Sequence, residues 1–85
     1  MTKELTFGEK AVGITFNPAG DEQVHAVKTA FASVIDLLHT IRLNEDGPNE
    51  TARLASIAIT EAQAAQMWAV KAITWKEDVW VSMMR

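Results

Sequence analysis

Alanines at positions 55, 58, 62, 65, 69 and 72 recur in alternating steps of three and four, the spacing that lines side chains up along one face of a helix. Between Leu54 and Thr74 only Glu61 and Lys71 are charged, so the helix predicted by this pattern has almost no face made for water. The alanine seam lets helix axes approach closely, and a second stripe of Leu54, Ile57, Ala64 and Trp68 offers bulk to another neighbour. Two packing faces predict two partners. The remaining arc holds Arg53, Ser56, Thr60, Gln63, Met67, Lys71 and Thr74, mostly uncharged hydrogen-bonding groups with a cation near each end. Such an arc suits the wall of a polar ligand site.

Upstream, Val24, Val27, Phe31, Val34, Leu38 and Ile41 keep a three-four spacing and predict a first helix with those residues as its core stripe. Its other face carries Glu22, Lys28, Asp36 and His39. Asn17-Pro18 fits an N-cap followed by proline at the first helical position, and Asp21 fits the cap of a later start. The run from Asn44 to Asn49 contains Gly47 and Pro48, which stop helices, and Glu50 or Thr51 reopens one. The expected fold is therefore all-α, an antiparallel two-helix hairpin over residues 17–75. Residues 1–16 alternate apolar positions (Leu5, Phe7, Val12, Ile14, Phe16) interrupted by Gly8 and Gly13, which predicts an extended or irregular N-terminal segment. Residues 76–85 form a C-terminal tail that either continues the second helix or folds back across a neighbouring copy.

With 85 residues, about half of them apolar, and no cysteine, the chain fits one small domain whose core is limited and has no disulfide to reinforce it. Assembly into a homo-oligomeric helical bundle is the expected source of further burial, with Ala58, Ala62, Ala65, Trp68 and Ala69 as the packing residues. The absence of cysteine fits a cytosolic setting. No signal-peptide core and no apolar run of about 20 residues is present, so no membrane partner is expected. A net charge of −3 argues against binding a duplex phosphate backbone, while leaving room for a small phosphate ligand held by local cations.

Catalytic patterns are missing: there is no Gly-rich phosphate loop, zinc pattern, cysteine nucleophile or Gly-x-Ser-x-Gly elbow. His25 and His39 would stand about 21 Å apart on one helix, too far to share a metal, and read as surface histidines. Glu61 among alanines reads as a structural carboxylate rather than a catalytic one. No enzyme activity, cofactor or metal site is expected.

Phe16-Asn17-Pro18-Ala19-Gly20, then Val24 and Val27-Lys28, then Ala62 to Thr74 with Gln66-Met67-Trp68-Ala69-Val70-Lys71-Ala72-Ile73-Thr74, resemble the helical hairpin domain shared by phage anti-CBASS and anti-Thoeris sponge proteins. The resemblance spans roughly residues 12–75. It implies a small homo-oligomer, commonly a hexamer, which sequesters cyclic di- or trinucleotide immune signals in the cytoplasm of the infected bacterial host without cleaving them. Anti-Thoeris relatives add a β-rich domain for which this chain is too short, which turns the expectation towards the anti-CBASS type.

By the same resemblance Lys28 matches the first-helix lysine that contacts phosphate, and Lys71 the basic position of the second-helix motif. Ammonium groups suit a ring that carries one negative phosphate per nucleotide. Phe16 is placed to stack on a base, Asn17, Thr60 and Thr74 to bond base edges or phosphate oxygens, and Arg53 to add a bidentate phosphate contact. Where relatives carry arginine, Lys71 replaces a planar fork with a point charge, which weakens the case for trinucleotides. Plainer roles compete: Lys28 as a solvated helix lysine, Trp68 as an oligomer anchor, Phe16 as a staple on the hairpin, and Thr60 and Gln63 bonding each other. If those hold, the chain is a homo-oligomeric phage assembly or protein-interaction module with no nucleotide ligand. A duplex-binding helical regulator ranks last.

Overall fold

The computed structural model describes residues 4–44 and 49–75. They form three helices and, among the described residues, no strand: α1 (Phe7–Val12), α2 (Glu22–Leu43) and α3 (Glu50–Thr74). The expected hairpin is α2 followed by α3. Arg42, near the end of α2, reaches Ser56, near the start of α3, with Nη1 donating to Oγ at 3.2 Å. At the opposite end Val24 and Lys28 of α2 share a concavity with Val70 and Thr74 of α3, so the two helices run antiparallel. The calls on residues 76–85 and on the centre of the 44–49 loop lie outside the described residues.

The N-terminal segment corrects the expectation of extended structure. Thr6 caps α1 through a capping box: Glu9 N–H donates to Thr6 Oγ1 at 3.0 Å and Thr6 N–H to Glu9 Oε1 at 2.8 Å, satisfying two of the donors a helix start leaves orphaned. Gly13, at φ 63°, takes the left-handed conformation that ends the helix. Gly8 is not an interruption. It is buried, and its N–H donates to Asp36 Oδ1 of α2 at 2.7 Å.

Of the two possible starts for α2, the structure takes the later one. Asp21 is the N-cap, its Oδ1 accepting from Gln23 N–H at 2.8 Å and Val24 N–H at 3.2 Å. Asn17 to Gly20 instead forms a turn, closed by Gly20 N–H to Asn17 O at 2.9 Å, with Gly20 at φ 63°.

The core stripe of α2 is also rotated from the expected one. Val24, Lys28, Ala32 and Ile35 are buried, Val27, Phe31 and Leu38 are half-buried, and Val34 and Ile41 face outward. The reason is that α2 is the central helix, packed against both α1 and α3, which scarcely touch each other. The arc carrying Lys28, Asp36 and His39 is the surface on which α1 and its loop dock. His39 stacks on Phe7 of α1 with ring centroids 4.2 Å apart, accepts at Nδ1 from Arg42 Nε at 3.0 Å, and Arg42 lies 5.1 Å from the Phe7 ring centroid. His39 is therefore a packing residue rather than a plain surface histidine.

In α3 the alanine seam belongs in part to the chain's own interior. Ala55 is buried, Ala62 packs on the cluster of Val12, Ala32, Ile35 and Ile59, and Ala58 and Ala69 are half-buried. Ala65 and Ala72 remain exposed. The second stripe, Leu54, Ile57, Ala64 and Trp68, is exposed along its whole length.

Candidate functional site

The loop between α1 and α2 is built by two successive turns. The first is closed by Phe16 N–H to Gly13 O at 2.9 Å and the second by Gly20 N–H to Asn17 O. Asn17 then ties the loop to the start of α2 with both ends of its amide, Nδ2 donating to Asp21 O at 2.8 Å and Oδ1 accepting from Asp21 N–H at 3.1 Å. Lys28, in the second turn of α2, is only 5% exposed. Its ammonium donates to Gly13 O at 2.9 Å and to Phe16 O, and sits 5.5 Å from the centroid of the Phe16 ring.

This loop overhangs a concavity of about 320 Å³ between the first turns of α2 and the last turns of α3, at the lower end of the size range of small-molecule pockets. Its walls are Phe16, Pro18, Ala19 and Val24 on one side and Val70 and Thr74 on the other, with Asn17, Asp21 and Lys28 at the base of the loop. Four sequence-predicted residues, Phe16, Asn17, Lys28 and Thr74, thus meet at one place although they are separated by up to 58 positions. Phe16 offers its ring outward, at 71% exposure, while the walls are largely apolar. Such a site takes a flat, weakly polar body such as a base and leaves charged groups at the rim.

The other three candidates lie elsewhere on α3. Lys71 is exposed, one turn before Trp75 and three residues from Thr74; its Nζ stands 6.0 Å from the Trp75 ring centroid. It also borders a second concavity of about 290 Å³ with Ala64, Met67 and Trp68. Thr60 is exposed and donates to Ser56 O at 3.3 Å, so its hydroxyl proton is turned to its own helix and not to Gln63. Arg53 is at the far end of the hairpin, in a bidentate pair with Glu50 whose Nε–Oε1 distance is 2.9 Å. That hydrogen bonding holds the Glu50 carboxyl below its ordinary range and raises the Arg53 guanidinium above its own. Glu61 is exposed.

Sequence reasoning missed Pro18, Ala19, Asp21, Val24 and Val70 as walls of the site, and Gln66 as a buried polar residue. A signal for two of them was present: Val70 and Val24 each lie four residues before a candidate, Thr74 and Lys28, and so share its helix face. Among the described residues no group of three or more His, Cys, Asp or Glu side chains is placed to hold a metal, and no helix is long and apolar enough to cross a membrane.

No curated protein and no solved structure matches the chain significantly. A family model does: residues 9–74 match the one described as "Acb2/Tad1, hairpin domain", a span that takes in most of α1, all of α2 and α3, and the loop holding Phe16 and Asn17. With well over half of its length matched, the chain belongs to the Acb2/Tad1 hairpin family, the family of anti-CBASS and anti-Thoeris sponge proteins.

Proposed function

We propose that this protein is a nucleotide sponge: it binds cyclic di- or trinucleotides and sequesters them without cleavage, so that CBASS-type antiphage signalling in the infected cell's cytoplasm is blocked. The working form in this reading is a homo-oligomer, a hexamer as the family suggests. The observation that carries the proposal is the meeting of Phe16, Asn17, Lys28 and Thr74 around one apolar concavity in a chain of a binding family. A base stacks on Phe16 over the apolar walls, and Lys71, which does not line the concavity but lies three residues before Thr74 on an exposed part of α3, supplies an ammonium open to a phosphate. Arg53, engaged with Glu50 at the other end of α3, and Thr60 do not reach the same concavity, so their part in the ligand site requires a second copy of the chain.

Native mass spectrometry of the purified protein, alone and with a panel of cyclic di- and trinucleotides, tests this directly. Unmodified ligands on a stable oligomer are the expected result. A bare oligomer throughout the panel would favour the second reading, an assembly module, whose specific support is the uncovered stripe of Leu54, Ile57 and Trp68 on α3.

A further inference from the structure

We propose that the outer face of α2 is where a second copy of this chain docks, the two α2 helices lying antiparallel about a two-fold axis that passes between Ser33 and Val34. This rests on the homo-oligomer of the sponge reading, gives that assembly one of its contacts, and is independent of the ligand.

The charges of α2 are unevenly placed. From Ala26 to Leu43 its ionisable residues are all turned inward: Lys28 bonds the carbonyls of Gly13 and Phe16, Asp36 accepts from Gly8 N–H, His39 stacks on Phe7, and Arg42 reaches Ser56 of α3. Every exposed position in that span is therefore uncharged. The bare face runs for about five turns, roughly 25 Å. Helix faces made for water carry charges, and this one instead exposes Leu37 at 63% and Val34 at 48%. The exposed side of α3 differs, since Arg53, Glu61 and Lys71 interrupt it. An uncharged, partly apolar face of this length is a contact surface.

The order of residues along the face identifies the partner. Its first half is small, with Ala26, Ala30 and Ser33, and its second half is bulky, with Val34, Leu37 and Ile41. The steps of four and three in the first half are mirrored as three and four in the second. An antiparallel copy therefore sets Ile41 on Ala26, Leu37 on Ala30 and Val34 on Ser33, and the same three pairs recur on the other side of the axis. Each bulky side chain meets a small one, so the axes can close to the roughly 8–10 Å of packed helices without voids or overlap. A parallel copy sets Leu37 on Leu37 and Ala30 on Ala30, overfilling one end and leaving a gap at the other. Such self-complementarity is what a two-fold interface between identical chains requires, and an unrelated partner would not require it. The absence of charge also removes like-charge repulsion across the axis.

Because the chain has no cysteine, single introduced cysteines report the pairing. Ala30→Cys and Leu37→Cys chains, one of them isotope-labelled, are refolded together and oxidised, and the disulfide products are weighed by mass spectrometry. Antiparallel pairing predicts the mixed dimer in at least about tenfold excess over either self-linked dimer, because two copies of the same site lie about 10 Å apart along the axis, beyond the reach of a disulfide. Leu37→Glu, at an exposed position, should keep its helix content by circular dichroism and weaken self-association about a hundredfold in sedimentation, since each carboxylate would be buried against Ala30 without a partner. If Leu37→Glu loses its fold, the cysteine pairs still decide. Self-linked Leu37→Cys in excess of the mixed product, an oligomer that forms neither, or wild-type association in a folded Leu37→Glu would each overturn the pairing. If the wild type is monomeric, the pairing and the homo-oligomer fall together, and binding of cyclic nucleotides to that monomer decides the ligand separately.

Discussion

Replacing Gly8 by alanine adds one methyl group at the tightest contact between α1 and α2, and its cost can be worked from the backbone. A Cβ at position 8 would stand 2.1 Å from Ala32 O, 2.9 Å from Ala32 C and 2.9 Å from Asp36 Oδ1. The first distance is about 1.3 Å short of the 3.4 Å at which ordinary van der Waals contact begins, and the obstacle is backbone of a long helix, which cannot rotate away. α1 must lift off. Overpacking of this kind costs about 1–3 kcal/mol, and separation also strains or breaks the Gly8 N–H to Asp36 bond, a hydrogen bond to a charged group worth about 1.5–3 kcal/mol. The better helix propensity of alanine returns at most about 1 kcal/mol. The expected net loss is about 2–4 kcal/mol, which for a domain of this size lowers Tm by roughly 10–25 °C. Urea and thermal unfolding followed by circular dichroism, at one fixed protein concentration because any association would raise apparent stability, measure it. Gly20→Ala is the comparison: at φ 63° it carries a left-handed backbone cost of about 1–2 kcal/mol that Gly8, inside a helix, does not, but its Cβ would meet nothing within 4 Å. A Gly8→Ala protein within about 0.5 kcal/mol of wild type, or one more stable than Gly20→Ala, would refute the close packing of α1 on α2.

Three further outcomes are expected. Ala65 is exposed in the protomer, so Ala65→Leu should leave helix content unchanged while lowering the oligomer mass in sedimentation or native mass spectrometry; an unchanged mass removes position 65 from any interface between copies. Lys71→Ala should weaken cyclic-nucleotide binding in calorimetry by about tenfold, the scale of one lost charge-assisted hydrogen bond, with the oligomer intact, and equal affinity would clear Lys71 of a phosphate role. Glu50 has its carboxyl lowered by Arg53, so the pair stabilises the fold above the ordinary carboxylate range and that contribution is lost as pH falls through the lowered value. An NMR titration should move the Glu50 midpoint upward in Arg53→Ala, and a midpoint equal to wild type would show that the pair does not persist in solution.

The hairpin was legible because α2 and α3 are long and strongly periodic, and because Gly47-Pro48 separates them. What escaped was the environment of each face. Lys28, Asp36 and His39 read as a solvated arc by residue type, yet each bonds or stacks on the α1 segment; periodicity reports which residues share a face but not which element covers it. The α1 helix itself was hidden by its length. Six residues give too little pattern to separate period two from period 3.6, and Gly8 looked like an interruption because a glycine required by close backbone approach carries the same letter as one in a turn. The capping signature Thr6-x-x-Glu9 was present in the sequence and, given more weight than the alternation around it, would have identified the helix. For the site, Phe16, Asn17, Lys28 and Thr74 were found through family motifs, whereas the apolar walls formed by Pro18, Val24 and Val70 depend on how two helix ends meet, which no local pattern encodes.

The shape of the chain bears on the proposal that it binds ligand as an assembly. Its principal extents are 55 × 38 × 13 Å, so across its thinnest direction it is little more than one helix deep. A single layer of helices can bury only their mutual edges. Ile35 is the one large side chain with no exposure among the described residues, while Trp68 is 70% exposed and Val34, Leu37, Leu54 and Ile57 also face outward. Covering these residues with further copies would add apolar burial that the small core does not supply. Another chain set beside the exposed ring of Phe16 would turn a shallow concavity into an enclosed one in which base stacking and phosphate contacts are strengthened by exclusion of water. On this argument assembly and ligand affinity are linked, and a variant such as Ala65→Leu that weakens the assembly should weaken cyclic-nucleotide binding as well, although position 65 does not border the concavity. Full affinity in a dissociated Ala65→Leu protein would show that one protomer suffices.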